Sequence, residues 1–92
     1  MIGSFKNKAL KRFYETGDAS GVHAHHRKKI KYILTALEAI QKIEGMNAHA
    51  FNLHTLSGKY KGFYSVKVSA NWRIIFTFTD GKAHAINYID YH

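Results

Sequence analysis

The sequence predicts an α+β fold, with two N-terminal helices packed on a twisted, mainly antiparallel sheet that ends in a three-strand meander. Three observations predict it. Apolar residues recur at spacings of three and four through the first half of the chain, the mark of helices with one buried stripe. They alternate with polar residues toward the end, the mark of strands with one buried face. Between two such strands lies Asp80-Gly81, a tight-hairpin signal, because a type I′ turn needs positive φ at both central positions.

Taken in order, Met1-Ile2 can add a short edge strand, and Ser4 can cap a helix from Phe5 to about Thr16. Phe5, Ala9 and Phe13, flanked by Leu10 and Tyr14, form its apolar stripe. Lys6, Lys8, Lys11 and Arg12 occupy its outer face, and Gly17 is its stop. After a turn at residues 17–21, a longer helix runs from about His23 to Ile43. Ile30, Ile33, Leu34, Leu37 and Ile40 face the core, and Gly45 ends the run. Residues 46–61 are irregular, with Phe51, Leu53 and Leu56 as anchors and His54 among them.

The meander follows. Its first strand, from Phe63 to Ser69, sets Tyr64, Val66 and Val68 against Ser65, Lys67 and Ser69. The second, Trp72 to Thr79, puts Trp72, Ile74, Phe76 and Phe78 on one face and Arg73, Ile75 and Thr77 on the other. The third runs from about Lys82 to Tyr91 and leads to Asp90-Tyr91-His92.

A chain of 92 residues fits one domain, 1–92, since domains take roughly 100–200 residues. There is no cysteine, so thiol chemistry and disulfides are excluded. With neither an apolar leader nor a run of about 20 apolar residues, the expected setting is the cytoplasm, with no membrane contact. Fourteen Lys and Arg against six Asp and Glu give a net charge of +8, which favours a polyanionic partner, either nucleic acid or an acidic protein. His23, His25 and His26 crowd the start of the second helix. Neighbours in sequence do not share a helix face and no thiol or carboxylate joins them, so a basic patch that sharpens as pH falls is expected rather than a zinc site.

No glycine-rich phosphate loop, CxxC pair or carboxylate cluster is present, which argues against two-metal nuclease chemistry. What remains is imidazoles, an arginine, lysines, tyrosines and the Asp90–His92 ending on a cationic chain. That set suits RNA cleavage without metal or cofactor. RNA brings its own nucleophile, the 2′-hydroxyl, so the protein need supply only a base, an acid and positive charge for the phosphate. By residue type alone, His54 is more often a structural histidine between leucines, and Arg73 is either exposed or lining a concave site.

Several segments resemble the HigB toxins of the RelE-like superfamily, also called plasmid-maintenance killer proteins. They are Leu53-His54-x-Leu56-x-Gly58, Tyr64-Ser65-Val66-x-Val68, Asn71-Trp72-Arg73-Ile74 and Ile86-Asn87-Tyr88-x-Asp90-Tyr91-His92, together with Ile2-x-Ser4-Phe5-Lys6 and Ser20-Gly21-Val22. The resemblance spans essentially the whole chain. It implies a compact RelE-like domain and a ribosome-dependent mRNA endonuclease that cuts codons in the ribosomal A site. It also implies a HigA-like helix-turn-helix antitoxin, through which DNA is contacted only indirectly. His54, Arg73, Asp90, Tyr91 and His92 fall on the family's functional positions. The resemblance assigns Arg73 to the scissile phosphate, His92 or His54 to proton transfer, Asp90 to orienting an imidazole or acting as base, and Tyr91 to positioning a nucleotide. RNA-binding cations would be Lys59 and Lys61 near the site, with Lys6, Lys8, Lys11 and Arg12 on the first helix. One departure stands out: the family often carries lysine where this chain has Ser57. Two rival expectations follow, a basic module that binds RNA or protein without cutting, and a weakened toxin that still binds its antitoxin.

Overall fold

The computed structural model of the chain describes residues 1–49 and 51–91. Helix α1 (Lys8–Thr16) comes first, then a 3-10 turn (Ala24–His26) that leads into α2 (Arg27–Ala39) and a 3-10 segment over Ile43–His49. Strand β1 (His54–Thr55) and a further 3-10 turn (Gly58–Tyr60) precede β2 (Tyr64–Ser69), β3 (Trp72–Thr79) and β4 (Lys82–Asp90). The four strands form one antiparallel sheet in chain order. The expected α+β architecture is the one found.

The meander forms as its alternation dictates. Asp80 and Gly81 have φ of 53° and 78°, as a type I′ hairpin requires. Val66, Ile74, Phe76 and Ile86 are fully buried and join Leu10, Ile30, Ile33 and Leu37 of the helices in one core. Each such side chain contributes about 1.5–3 kcal/mol relative to exposure. The register shifts once between β2 and β3, near Val68, and once between β3 and β4, at Ala85, whose φ is 53°. Bulges of this kind strengthen the local twist.

The first helix begins later than Ser4 and Phe5 suggest. Asn7 is the cap, its Oδ1 accepting the Leu10 N–H at 2.9 Å. The residues before it run beside β4 instead, through parallel bridges from Ile2 to Ala83 and from Phe5 to Ile86. Ser4 Oγ accepts the Ala85 N–H at the bulge, 3.0 Å away. Pairing with β4 therefore removes Phe5 from the helix, and the buried stripe centres on Leu10, with Tyr14 exposed. Gly17 ends α1 as expected, at φ 81°, its N–H donating to the Phe13 carbonyl at 3.0 Å.

The second helix stops at Ala39, where Ile40 turns extended with ψ 148°. The apolar spacing nonetheless continues through Ile43 to the buried Met46, because residues three apart also eclipse on a 3-10 segment. Gly45 lies inside that segment rather than ending a helix. Farther on, Phe51 is an anchor, 1% exposed, and Leu53 packs at the core's edge. The short strand β1 lies in the stretch expected to be irregular; both its residues are exposed and offer no alternation to read.

The face of the sheet away from the helices is not wholly solvated. Ser65 and Ile75 lie on it and are only 2% and 1% exposed. The connection from β1 to β2 reaches back toward the far end of the sheet. Tyr60, which precedes the start of β2, meets Tyr91 beyond the end of β4 with ring centroids 6.1 Å apart.

Candidate active site

Antiparallel register determines which side chains share that outer face. His54, Ser65, Ile75 and Asn87 pair across β1 to β4 in one row. Two residues along, Lys67, Arg73 and Ile89 form the next. The Tyr91 N–H donates to the Asn71 carbonyl at 2.8 Å, which carries the ladder one step past β4 and puts Tyr91 on the same face. A strand spacing of about 4.8 Å and a rise of about 3.4 Å per residue set the Arg73 Cα roughly 8 Å from that of Tyr91 and roughly 12 Å from that of His54. On the same grid His54 and Tyr91 lie roughly 20 Å apart, so Arg73, held toward Ala70, shares its end of the face with Lys67 and Tyr91, and His54 stands at the other end.

Arg73 is half-buried, and its Nη1 donates to the Ala70 carbonyl at 3.4 Å, which restrains the guanidinium at the turn between β2 and β3. Lys67 stands directly opposite. Like charges paired across strands repel, so this arrangement favours an anion between them. Lys67 was visible in the sequence only as a polar-face residue. Counting back from the Ala70-Asn71 turn would pair it with Ile74; only the bulge near Val68 brings it opposite Arg73.

The other candidates are placed as follows. Asp90 pairs with Trp72, so strand alternation puts it on the face of Trp72 and Tyr88, not that of Arg73 and Tyr91. His92 lies outside the described residues. Ser57 is exposed and extended, just before the Gly58–Tyr60 turn. Lys59 Nζ lies 5.1 Å from the Tyr60 ring centroid, and through that ring is linked to Tyr91. Lys61 is exposed on the same turn. Lys6, Lys8, Lys11 and Arg12 are all exposed around α1, on the helical side of the sheet and away from His54 and Arg73. Arg12 reaches Asp18 at 4.0 Å, an exposed pair of little energetic weight.

The histidine cluster departs from a basic patch. His26 turns inward, 8% exposed, and its Nδ1 is hydrogen-bonded to the Tyr88 hydroxyl. Burial, and then the nearby His23 and His25, hold its pKa below the ordinary histidine value. Burial likewise pushes the Tyr88 phenol up. The His23 ring packs on Trp72 with centroids 4.8 Å apart. Two of the three imidazoles thus pack against the aromatic end of the sheet; only His26 is buried, while His23 and His25 stay exposed. Among the described residues, no three His, Cys, Asp or Glu side chains are placed to hold a metal ion.

Two concavities, about 370 and 400 Å³, lie on the helical layer, one lined by Phe13, Tyr14 and Lys31 and the other by His25, Lys28 and Tyr32. On the outer face His54 is exposed and Arg73 and Tyr91 are half-buried, spread along the sheet as a polymer strand requires. That face offers an imidazole for proton transfer, two cations for a phosphate and tyrosine rings for a base.

Residues 3–92 match the family described as the RelE-like toxin of the type II toxin-antitoxin system HigB. The chain belongs to the HigB-like toxin family. Over its full length it is 44% identical to the endoribonuclease HigB of Proteus vulgaris, 92 residues covering 100% of both chains. Its fold is similar to a chain of the YoeB-YefM complex from Staphylococcus aureus, with a TM-score of 0.63 at 20% identity, covering 100% of this HigB-like chain and 98% of the other. At that identity the likeness speaks for the fold alone. No helix among the described residues is long and apolar enough to cross a membrane.

Proposed function

We propose that this HigB-like chain is a ribosome-dependent mRNA endonuclease, one catalytic domain over residues 1–92 that cleaves codons in the ribosomal A site in the cytoplasm. The observation that carries the proposal is the shared outer face of His54, Lys67, Arg73 and Tyr91 in a chain of the HigB-like family. In the reaction, a base removes the proton of the RNA 2′-hydroxyl, whose oxygen attacks the adjacent phosphorus. The bond to the 5′-oxygen breaks, an acid protonates that oxygen, and the products are a 2′,3′-cyclic phosphate and a 5′-hydroxyl. The nucleophile comes from the substrate, so the step needs no metal.

Arg73, with Lys67 opposite, holds the phosphate oxygens as negative charge builds on them. Proton transfer falls to His92 or His54, and Tyr91 stacks on a nucleotide; Asp90, which alternation puts on the opposite face from Arg73, takes no direct part in the step. Lys59 and Lys61 add positive charge beside the strand. Lys6, Lys8, Lys11 and Arg12, on the far side of the sheet, form a second cationic surface for ribosomal RNA. The protein partner is a HigA-like helix-turn-helix antitoxin, which contacts DNA on the complex's behalf.

Induced expression of the Arg73→Ala variant tests this directly. Removing one transition-state donor typically costs about 100- to 1,000-fold. Growth arrest is therefore expected to disappear while the circular dichroism and melting temperature of the purified variant stay near wild type. Undiminished arrest by a folded Arg73→Ala protein would refute the role of Arg73.

A further inference from the structure

We propose that Tyr60 is a positioning residue of the site, holding the Tyr91 ring and the Lys59 ammonium together on the outer face of the sheet; the proposal rests on the RNA-cleaving function above. Tyr60 is carried by a turn held by its own backbone. The Tyr60 N–H donates to the Ser57 carbonyl at 3.3 Å, Lys61 to Gly58 at 3.1 Å and Phe63 to Tyr60 at 3.0 Å. Gly58 and Gly62 bracket the turn at φ of 66° and 92°. Those left-handed values favour glycine and let the chain reverse over the sheet.

The Tyr60 ring is the meeting point of three contacts. Phe63 lies against it edge-on, with centroids 6.2 Å apart and planes at 74°. Tyr91 lies 6.1 Å away at 60°. Lys59 Nζ sits 5.1 Å from the ring centroid. A base held between two rings needs their planes near parallel, whereas those of Tyr60 and Tyr91 are steeply inclined. The two tyrosines therefore do not clamp a base between them. The geometry is closer to that of an edge-to-face pair, in which one ring holds the other's orientation.

Tyr91 needs such a support. It follows the last residue of β4, where its backbone N–H is held by the Asn71 carbonyl. A ring free to rotate there would lose entropy each time it stacked on a nucleotide; a ring already packed on Tyr60 does not. The same contact explains how the chain accommodates Ser57. The cation is supplied two residues later by Lys59, whose position depends on the face of Tyr60 rather than on strand alternation.

The test is a double-mutant cycle read by cleavage of a defined mRNA on translating ribosomes, with Arg73→Ala as control. Tyr60→Leu keeps apolar bulk and removes the ring. It is expected to slow cleavage about 5-fold, within the worth of an aromatic pair, with an unchanged melting temperature. Tyr60→Phe, which keeps both ring contacts, should cut within about 2-fold of wild type. In a Tyr91→Ala background, Tyr60→Leu should cost less than in wild type, because one of the two groups it positions is gone and only the seat of Lys59 is left to lose. Wild-type rates in Tyr60→Leu beside a dead Arg73→Ala would overturn the positioning role and leave the endonuclease intact. So would equal slowing by Tyr60→Leu in both backgrounds, or slowing by Tyr60→Phe as large as by Tyr60→Leu. If Tyr60→Leu melts early, the Tyr60→Phe and Tyr91→Ala pair decides: a slow, stable Tyr60→Phe sinks the proposal. A wild-type protein that leaves the mRNA uncut would remove the endonuclease itself, and this proposal with it.

Discussion

His26 and Arg73 show how far one residue's surroundings decide what a basic side chain does. Both belong to stretches in which cationic and apolar residues mix. His26 is taken into the aromatic end of the sheet against Tyr88, where burial and the adjacent His23 and His25 disfavour its charged form. The unfolded chain then takes up this proton at higher pH than the folded one. Stability linked to His26 is therefore complete above the ordinary histidine pKa of about 6.5 and declines as pH falls below it. His26→Gln keeps a polar partner for Tyr88 but does not titrate. Between about pH 7.5 and about pH 5.5 its melting temperature should drop less than that of wild type. Equal drops would show that His26 is not a source of the acid sensitivity. Arg73 stays on the outer face with Lys67 opposite, a pair of like charges that an anion can bridge. The inward turn of His26 was not legible, since residue type alone makes it a patch cation. The prominence of Arg73 was.

Elements were legible where a pattern had no competitor. The alternation in β2, β3 and β4 and the Asp80-Gly81 turn leave little choice, and the structure follows them. The start of α1 was read at Ser4, and the pairing of residues 2–5 with β4 is what moves the cap to Asn7. Asn7→Ala should cost about 1 kcal/mol, lowering the melting temperature by about 4–8 °C. In amide exchange it should selectively deprotect Leu10, whereas Ser4→Ala should deprotect Ala85. Loss of Leu10 protection in Ser4→Ala instead would return the cap to Ser4. The end of α2 had no glycine or proline to mark it, and its apolar spacing of three persists into the following 3-10 segment. Strand β1 has two exposed residues and left no periodic trace, yet it is what brings His54 into a row with Ser65 and Ile75.

At the scale of the whole molecule, a net charge of +8 resolves into cations on two sides of one sheet. Lys67, Arg73, Lys59 and Lys61 belong to the strands and the turn over the outer face. Lys6, Lys8, Lys11 and Arg12 surround α1 on the other side. Composition could count these charges but not sort them, because sorting needs strand register and the backward course of residues 56–63. For the same reason His54, Arg73 and Tyr91 could be named from a resemblance, while Lys67 and Tyr60 required the folded chain. The most direct measurement is cleavage mapping of a defined mRNA by the purified protein, with and without translating ribosomes. In-frame cuts that appear only with ribosomes, each leaving a 2′,3′-cyclic phosphate and a 5′-hydroxyl, are the expected result. An intact mRNA under both conditions, from protein shown to be folded and bound to ribosomes, would contradict it.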